Sequence, residues 1–195
     1  MAKQSKGTTK AHKPVKSSSK VPVIQKQTEM HSMMEKFFWD QLRDLYYVEK
    51  NQIKALGRMA KKATTEELKD IFIEHHETTQ EQLNRLDEVF EIIGKRAQTR
   101  RCPAFDGLVN EMDENIRETE DDSLTRDVGL IISAQKIEHY EIAGYGSLTT
   151  LARTYGMIEV ADILQESLDE EKDNDLQLTY IAENSINYEA GMEEE

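Results

Sequence analysis

Ala134-Gln135-Lys136-Ile137-Glu138-His139-Tyr140-Glu141-Ile142-Ala143-Gly144-Tyr145-Gly146 lies in the middle of a segment, about 124–154, whose apolar residues recur at three- and four-residue spacings. That period is helical. One face of the segment reads Ile131, Ala134, Glu138, Glu141, Tyr145, Leu148 and Ala152, so two acids interrupt an otherwise apolar stripe. Glu138 and Glu141 are three residues apart and project from the same side of the helix. A helix that carries carboxylates on its inner face needs partners that meet them, and the rest of the chain supplies such partners.

Upstream, a segment over about 30–61 has the stripe Phe38, Leu42, Leu45, Glu49, Ile53, Leu56 and Met59. The next begins at Thr64-Thr65-Glu66-Glu67, where a hydroxyl three residues before a glutamate predicts a capping box, and ends at Gly94. Its stripe is Leu68, Phe72, His75, Thr79, Leu83 or Gln82, Leu86, Phe90 and Ile93. Downstream, Gly156 stops the Glu138 helix, and a further helix over about 157–185 presents Ala161, Leu164, Leu168, Glu171, Asp175, Leu178 and Ile181. Short links make two antiparallel hairpins. The longer 95–123 connection, with turn residues over 95–103 and a short helix over 104–118, joins them. The predicted fold is all-α: a four-helix bundle with one long crossover that carries a short extra helix. Glu49 lies seven residues before Leu56, as Glu141 lies seven before Leu148, an echo that points to internal duplication.

Composition agrees. The chain has 195 residues, 37% hydrophobic and 32% charged, with only 9 Gly and 3 Pro, too few for many short strands and tight turns. Its single cysteine, Cys102, makes no internal disulfide, and no window approaches a membrane-spanning apolar run. The first residues carry lysines without an apolar signal core, so the cytoplasm is the expected compartment. The net charge of −13 combines +7 in residues 1–28 with −20 in the rest. The chain therefore divides into a disordered Lys-rich tail (1–28), the bundle (29–188) and an acidic end (189–195) that is expected to be frayed and solvated. Phe37, Phe38 and Trp39 are assigned to core packing, with burial in a dimer as the alternative.

Glu49, His75, Glu138, Glu141, Glu171 and Asp175 interrupt the stripes near mid-helix on all four long helices. A carboxylate withdrawn from water costs several kcal/mol unless paired, and several together repel. Lys50, Lys136 and Lys172 lie at outward or flanking phases, so the compensating cation is expected to be a metal ion. Oxygen donors with one imidazole suit Fe, Mn or Zn, and facing helices of a bundle are a known frame for a two-metal site. Tyr46 and Tyr145, each one turn from an acid, are expected to hydrogen-bond those carboxylates.

In these residues the chain resembles the YciE/YciF-type ferritin-like proteins, a bacterial family related in fold to rubrerythrins and other di-iron carboxylate bundles. The resemblance covers about residues 35–185. It rests on Leu45-Tyr46-Tyr47-Val48-Glu49-Lys50, on His75 through Arg85-Leu86 with Val89-Phe90, on Cys102-Pro103-Ala104-Phe105-Asp106-Gly107-Leu108, on the 134–146 run, and on Glu170-Glu171-Lys172 with Asp175. It implies a ferritin-like bundle, commonly dimeric, linked to stress responses and carrying a di-metal centre. Glu49, Glu138 or Glu141, Glu171 and Asp175 match the family's acidic core positions, and His75 its second-helix histidine. Two departures stand out. No histidine follows a glutamate by three residues, since Phe72, Ile73 and Lys136 precede His75, His76 and His139 at that spacing. Thr78 and Gln80 stand where related sequences often have an acid or histidine. The expected site is thus asymmetric, weak or mononuclear.

Two functions compete. One is a di-metal protein, of ferroxidase or peroxidase type, that binds Fe or Mn and oxidises Fe(II) with O₂ or peroxide. The other is a non-catalytic helical homodimer that binds a partner during stress. The Lys-rich tail is the sole candidate for nucleic-acid contact, and a body of charge −20 repels phosphate. Gly-rich phosphate loops, a Ser-His-Asp order and a CxxC pair are all missing from the sequence, which argues against nucleotide hydrolysis, acyl transfer and thiol redox chemistry.

Overall fold

The computed structural model describes residues 32–193; the Lys-rich tail expected over 1–28 lies outside them. The elements are α1 (Ser32–Lys62), α2 (Glu66–Ile92), α3 (Pro103–Glu118), α4 (Leu124–Thr154), α5 (Ile158–Ile181), a π-helical turn (Ala182–Ile186) and α6 (Asn187–Ala190). Helices α1 with α2, and α4 with α5, form the two hairpins, and α3 packs along α4 and touches α1. This is the expected bundle with its crossover. The last long helix ends earlier than its apolar period implies, because the π-helical turn breaks its register.

Helices α2 and α4 end on the same device. Gly94 and Gly156 adopt φ +66° and +76°, the left-handed region that a side chain disfavours. The amide that follows each glycine reaches back into the last helical turn: Lys95 N donates to Phe90 O, and Met157 N donates to Ala152 O, both at 2.9 Å. The helix starts are capped as well. Ser123 Oγ accepts from Arg126 N at 3.2 Å, and Cys102 Sγ accepts from Phe105 N at 3.5 Å, with Pro103 at the first helical position.

The start of α2 departs from the expected capping box. Thr65 is the cap, its Oγ1 accepting from Leu68 N at 3.4 Å, so the third position belongs to Leu68 and no glutamate closes the box. The partner comes from another element. Asp127, fully buried on α4, accepts from Thr64 N at 2.6 Å and from Thr65 N and Thr65 Oγ1 at 2.8 Å. Beside it the buried Arg126 donates to Ile116 O at 2.9 Å and to Asp121, which clamps the end of α3. Glu193, exposed in the segment expected to be frayed and solvated, accepts from Leu124 N at 3.0 Å and caps α4. A carboxylate is stabilised there by the free amides and the dipole of the helix start.

The core has two apolar halves. One contains Leu56, Met59, Leu68, Phe72, Phe105, Met112, Leu130 and Ile131; the other contains Phe38, Leu42, Leu86, Phe90, Tyr145, Leu148 and Leu164. Every long helix passes from one half to the other. At the crossing it places polar residues: Glu49 and Gln52 on α1, His75, Thr79 and Gln82 on α2, Glu138 and Glu141 on α4, and Glu171 on α5. Of the three consecutive aromatics assigned to the core, only Phe38 is fully buried; Trp39 is half-buried against Phe90, and Phe37 is 51% exposed. Successive helical positions point about 100° apart, so three in a row cannot share one interior face.

Asp127→Ala removes three hydrogen bonds to one buried charge and is expected to lower the unfolding free energy by about 2–3 kcal/mol in urea titrations. Asp127→Asn keeps the shape with weaker bonds and is expected to cost about half as much. Equal losses for the two would mean that shape alone matters at this joint.

Candidate metal centre

The inward direction of each acid follows from its place in an apolar stripe. Leu45 and Leu56 bracket Glu49, Ala134 and Leu148 bracket the Glu138–Glu141 pair, and Leu168 and Leu178 bracket Glu171; all these flanking residues are buried. Burying them forces the acids inward too. Glu49, Glu138, Glu141 and Glu171 have no exposed surface, and His75 is 3% exposed.

The side chains converge as two overlapping sets. His75, Glu138 and Glu171 each offer one donor atom within 4.8 Å of the others, and so do Glu49, Glu141 and Glu171. Glu171 belongs to both. His75 stands between carboxylates, with Nδ1 3.5 Å from Glu138 Oε1 and Nε2 3.7 Å from Glu171 Oε2. Tyr145 Oη donates to Glu49 Oε1, and Thr79 Oγ1 donates to His75 O at 2.9 Å. Gln52 Nε2 lies 3.4 Å from His75 Nε2.

Charge is what this arrangement lacks. Glu49 Oε2 and both oxygens of Glu138, Glu141 and Glu171 are buried without a hydrogen-bond partner. Arg85, whose charge is felt at Glu49, is taken by Glu170 through two bonds of 2.6 Å and by Glu166 at 3.4 Å. Lys136 pairs with Glu111, Lys172 with Asp169 at 3.0 Å, and Lys50 sits over the Tyr46 ring, so the outward phases expected for these lysines hold. Burial, reinforced by Glu171, drives the carboxyls of Glu49, Glu138 and Glu141 well above the usual range. At Glu171 burial acts the same way, but contacts with His75 and Glu138 outweigh it and hold the group below that range. Without a cation, then, burial favours the protonated form of Glu49, Glu138 and Glu141, and the contacts of Glu171 favour its ionised form. Hard oxygen donors, one imidazole and unpaired lone pairs aimed at a common volume fit divalent metal ions.

Asp175 does not join this group. It lies at the rim between α4 and α5, where Oδ1 accepts from Gln135 Nε2 at 3.3 Å and faces His139 Nε2 at 3.5 Å. Four residues beyond Glu171 the helix has turned about 40° past it, enough to carry a short side chain out of the core. Tyr46 turns away too, donating to Asp87 at 2.8 Å, and Tyr145 serves Glu49 across the bundle rather than its own neighbour Glu141. The inner stripes read from the sequence omit Gln52 and hold Gln82 only as an alternative to Leu83, yet both glutamines are buried in the layer. Uncharged amides leave a weak signal. Gln52 is legible only as the residue three after Glu49, in phase with it, where Ile53 takes the stripe position.

The family described as a domain of unknown function, DUF892, matches residues 33–191. This chain belongs to that family. Protein YciF of Escherichia coli (strain K12) is 40% identical over 158 residues, 80% of this chain and 95% of that protein. The crystal structure of the E. coli stress protein YciF superposes with a TM-score of 0.76, covering 80% of this chain and 99% of that one. YcfI from Rhodopseudomonas palustris, described provisionally as a structural protein, is 39% identical with a TM-score of 0.73, covering 75% of this chain and 92% of that one. The DUF892 bundle is thus the fold of the whole described region. Among the described residues, no helix is long and apolar enough to cross a membrane.

The protonated carboxyls make stability depend on pH. Above about 4.5 the unfolded chain has released protons that Glu49, Glu138 and Glu141 retain when folded, so the folded state binds more protons and loses stability as pH rises. Glu171 acts oppositely, and only below that value. In chelator, the melting temperature is expected to fall between about pH 5 and pH 8 and to fall less for Glu138→Gln. A profile that is flat or rises for the parent chain would mean that these carboxyls are already ionised.

Proposed function

We propose that this chain is a di-metal carboxylate protein that binds Fe(II) or Mn(II) in its core and, under stress, consumes Fe(II) together with O₂ or peroxide. The observation that carries the reading is the set of buried, partnerless carboxylate oxygens contributed by three of the four long helices, with His75 from the fourth. His75, Glu138 and Glu171 would hold one ion, and Glu49, Glu141 and Glu171 the other. Bound iron supplies one-electron steps between Fe(II) and Fe(III).

The chain's own residues prepare that chemistry. The apolar halves on either side keep bulk water from the carboxylates, which strengthens their attraction for a cation. Tyr145 fixes one oxygen of Glu49 and leaves the other free. The protons on Glu49, Glu138 and Glu141 leave as ions enter, so uptake is coupled to proton release. The naming of E. coli YciF as a stress protein supports the stress setting.

A second reading, a homodimer that acts only by contact, draws on a different observation. The exposed Phe37 borders a groove lined by Leu45, Ala143, Gly144, Leu148 and Leu151, a surface suited to a second copy of the chain. The provisional description of YcfI as structural favours the same reading.

Anaerobic Fe(II) titration followed by equilibrium dialysis and metal analysis decides between them. Two ions per chain are expected, with oxygen uptake once air is admitted. Glu171→Gln, which removes the carboxylate common to both sets, is expected to weaken both ions by at least about tenfold. Substoichiometric binding that this substitution leaves unchanged would select the contact-only dimer.

A further inference from the structure

We infer that the two halves of the centre are chemically unequal and select different ions, a borderline ion such as Zn(II), Co(II) or Fe(II) at His75–Glu138–Glu171 and a hard ion such as Mn(II) at Glu49–Glu141–Glu171. This rests on the two-ion reading and adds to it an order of preference that neither the family description nor any relative's name assigns.

The donor atoms make the distinction. The first set mixes one imidazole nitrogen with carboxylate oxygen, and the second is oxygen alone. Imidazole favours the later first-row divalent ions, whereas carboxylate suits Mn(II) and Mg(II). No other histidine among the described residues can equalise them, since His139 is 70% exposed and His76 is outside both sets. The buried polar atoms left over in the same layer, Gln52 Oε1 and Gln82 Oε1, add only oxygen to the supply of donors.

Charge separates the halves further. Glu171 is shared, so the first set owns one carboxylate and the second owns two. The second therefore compensates a higher cationic charge. The hydrogen bond from Tyr145 to Glu49 anchors that side and leaves Glu49 Oε2 as its free donor, while the His75 ring sits between Glu138 and Glu171 with Gln52 Nε2 beside it. His75 and Glu138 occur only in the first set and Glu49 and Glu141 only in the second, so each half has residues of its own to alter.

The test needs no variant in its first step. Metal-free chain receives one equivalent each of Zn(II) and Mn(II) under argon, and crystals are measured on both sides of the Zn and Mn absorption edges. Zinc is expected beside His75 and Glu138, and manganese beside Glu49 and Glu141. In solution, His75→Gln is expected to weaken Zn(II) by at least about tenfold while the Mn(II) spin-resonance signal of the bound ion persists, and Glu141→Gln to do the reverse. Zinc and manganese mixed equally over both positions, or a His75→Gln chain that loses both ions alike, would overturn the inequality while the two-ion reading stood. A chain that takes up neither ion would overturn both.

Discussion

Four glutamates held away from water at mid-bundle are the constraint that the rest of this structure serves. Each ionised carboxylate there costs several kcal/mol without a counter-charge, and among the described residues Arg85 is already paired with Glu170. The fold tolerates the layer because buried apolar residues lie on either side of it, and because burial favours the protonated form of Glu49, Glu138 and Glu141. The uncompensated layer weakens the fold, and an ion that bound only the folded state would offset this by mass action.

Convergence depends on register, and register is set far from the site. The glycine-ended turns after α2 and α4 fix where each of those helices stops. Asp127 ties the first hairpin's turn to the start of α4, Arg126 ties α4 to the end of α3, and Glu193 closes the same corner from the chain's end. A slip of one residue along any helix rotates its acid by about 100°, so these polar joints keep the donors aimed at one another. The corner holds no ion itself, yet it governs whether the donors meet.

The bundle was legible because period, caps and link lengths all pointed the same way. The α4 boundaries match those expected from the sequence, and every residue read on its inner stripe is buried. Of the six residues singled out as ligands, five meet in the layer. Asp175 failed because spacing by four is a neighbourly relation on a helix surface but not an identical direction, and beside α4 that difference separates core from rim. Phe37 failed for the same angular reason. Tyr145 bonds one of the buried acids as expected, but which one was not legible: it is one turn from Glu141 in the chain and bonds Glu49, which lies on another helix.

What the amino-acid order alone determined is the set of amphipathic helices and the presence of acids on their inner faces, because helical period and apolar stripes are local properties. Which acids converge into one donor set, that Glu171 stands in both sets, and that His75 belongs to only one of them were decided by tertiary packing. Distances between side chains on different helices depend on crossing and axial shift, and no spacing along the chain encodes those.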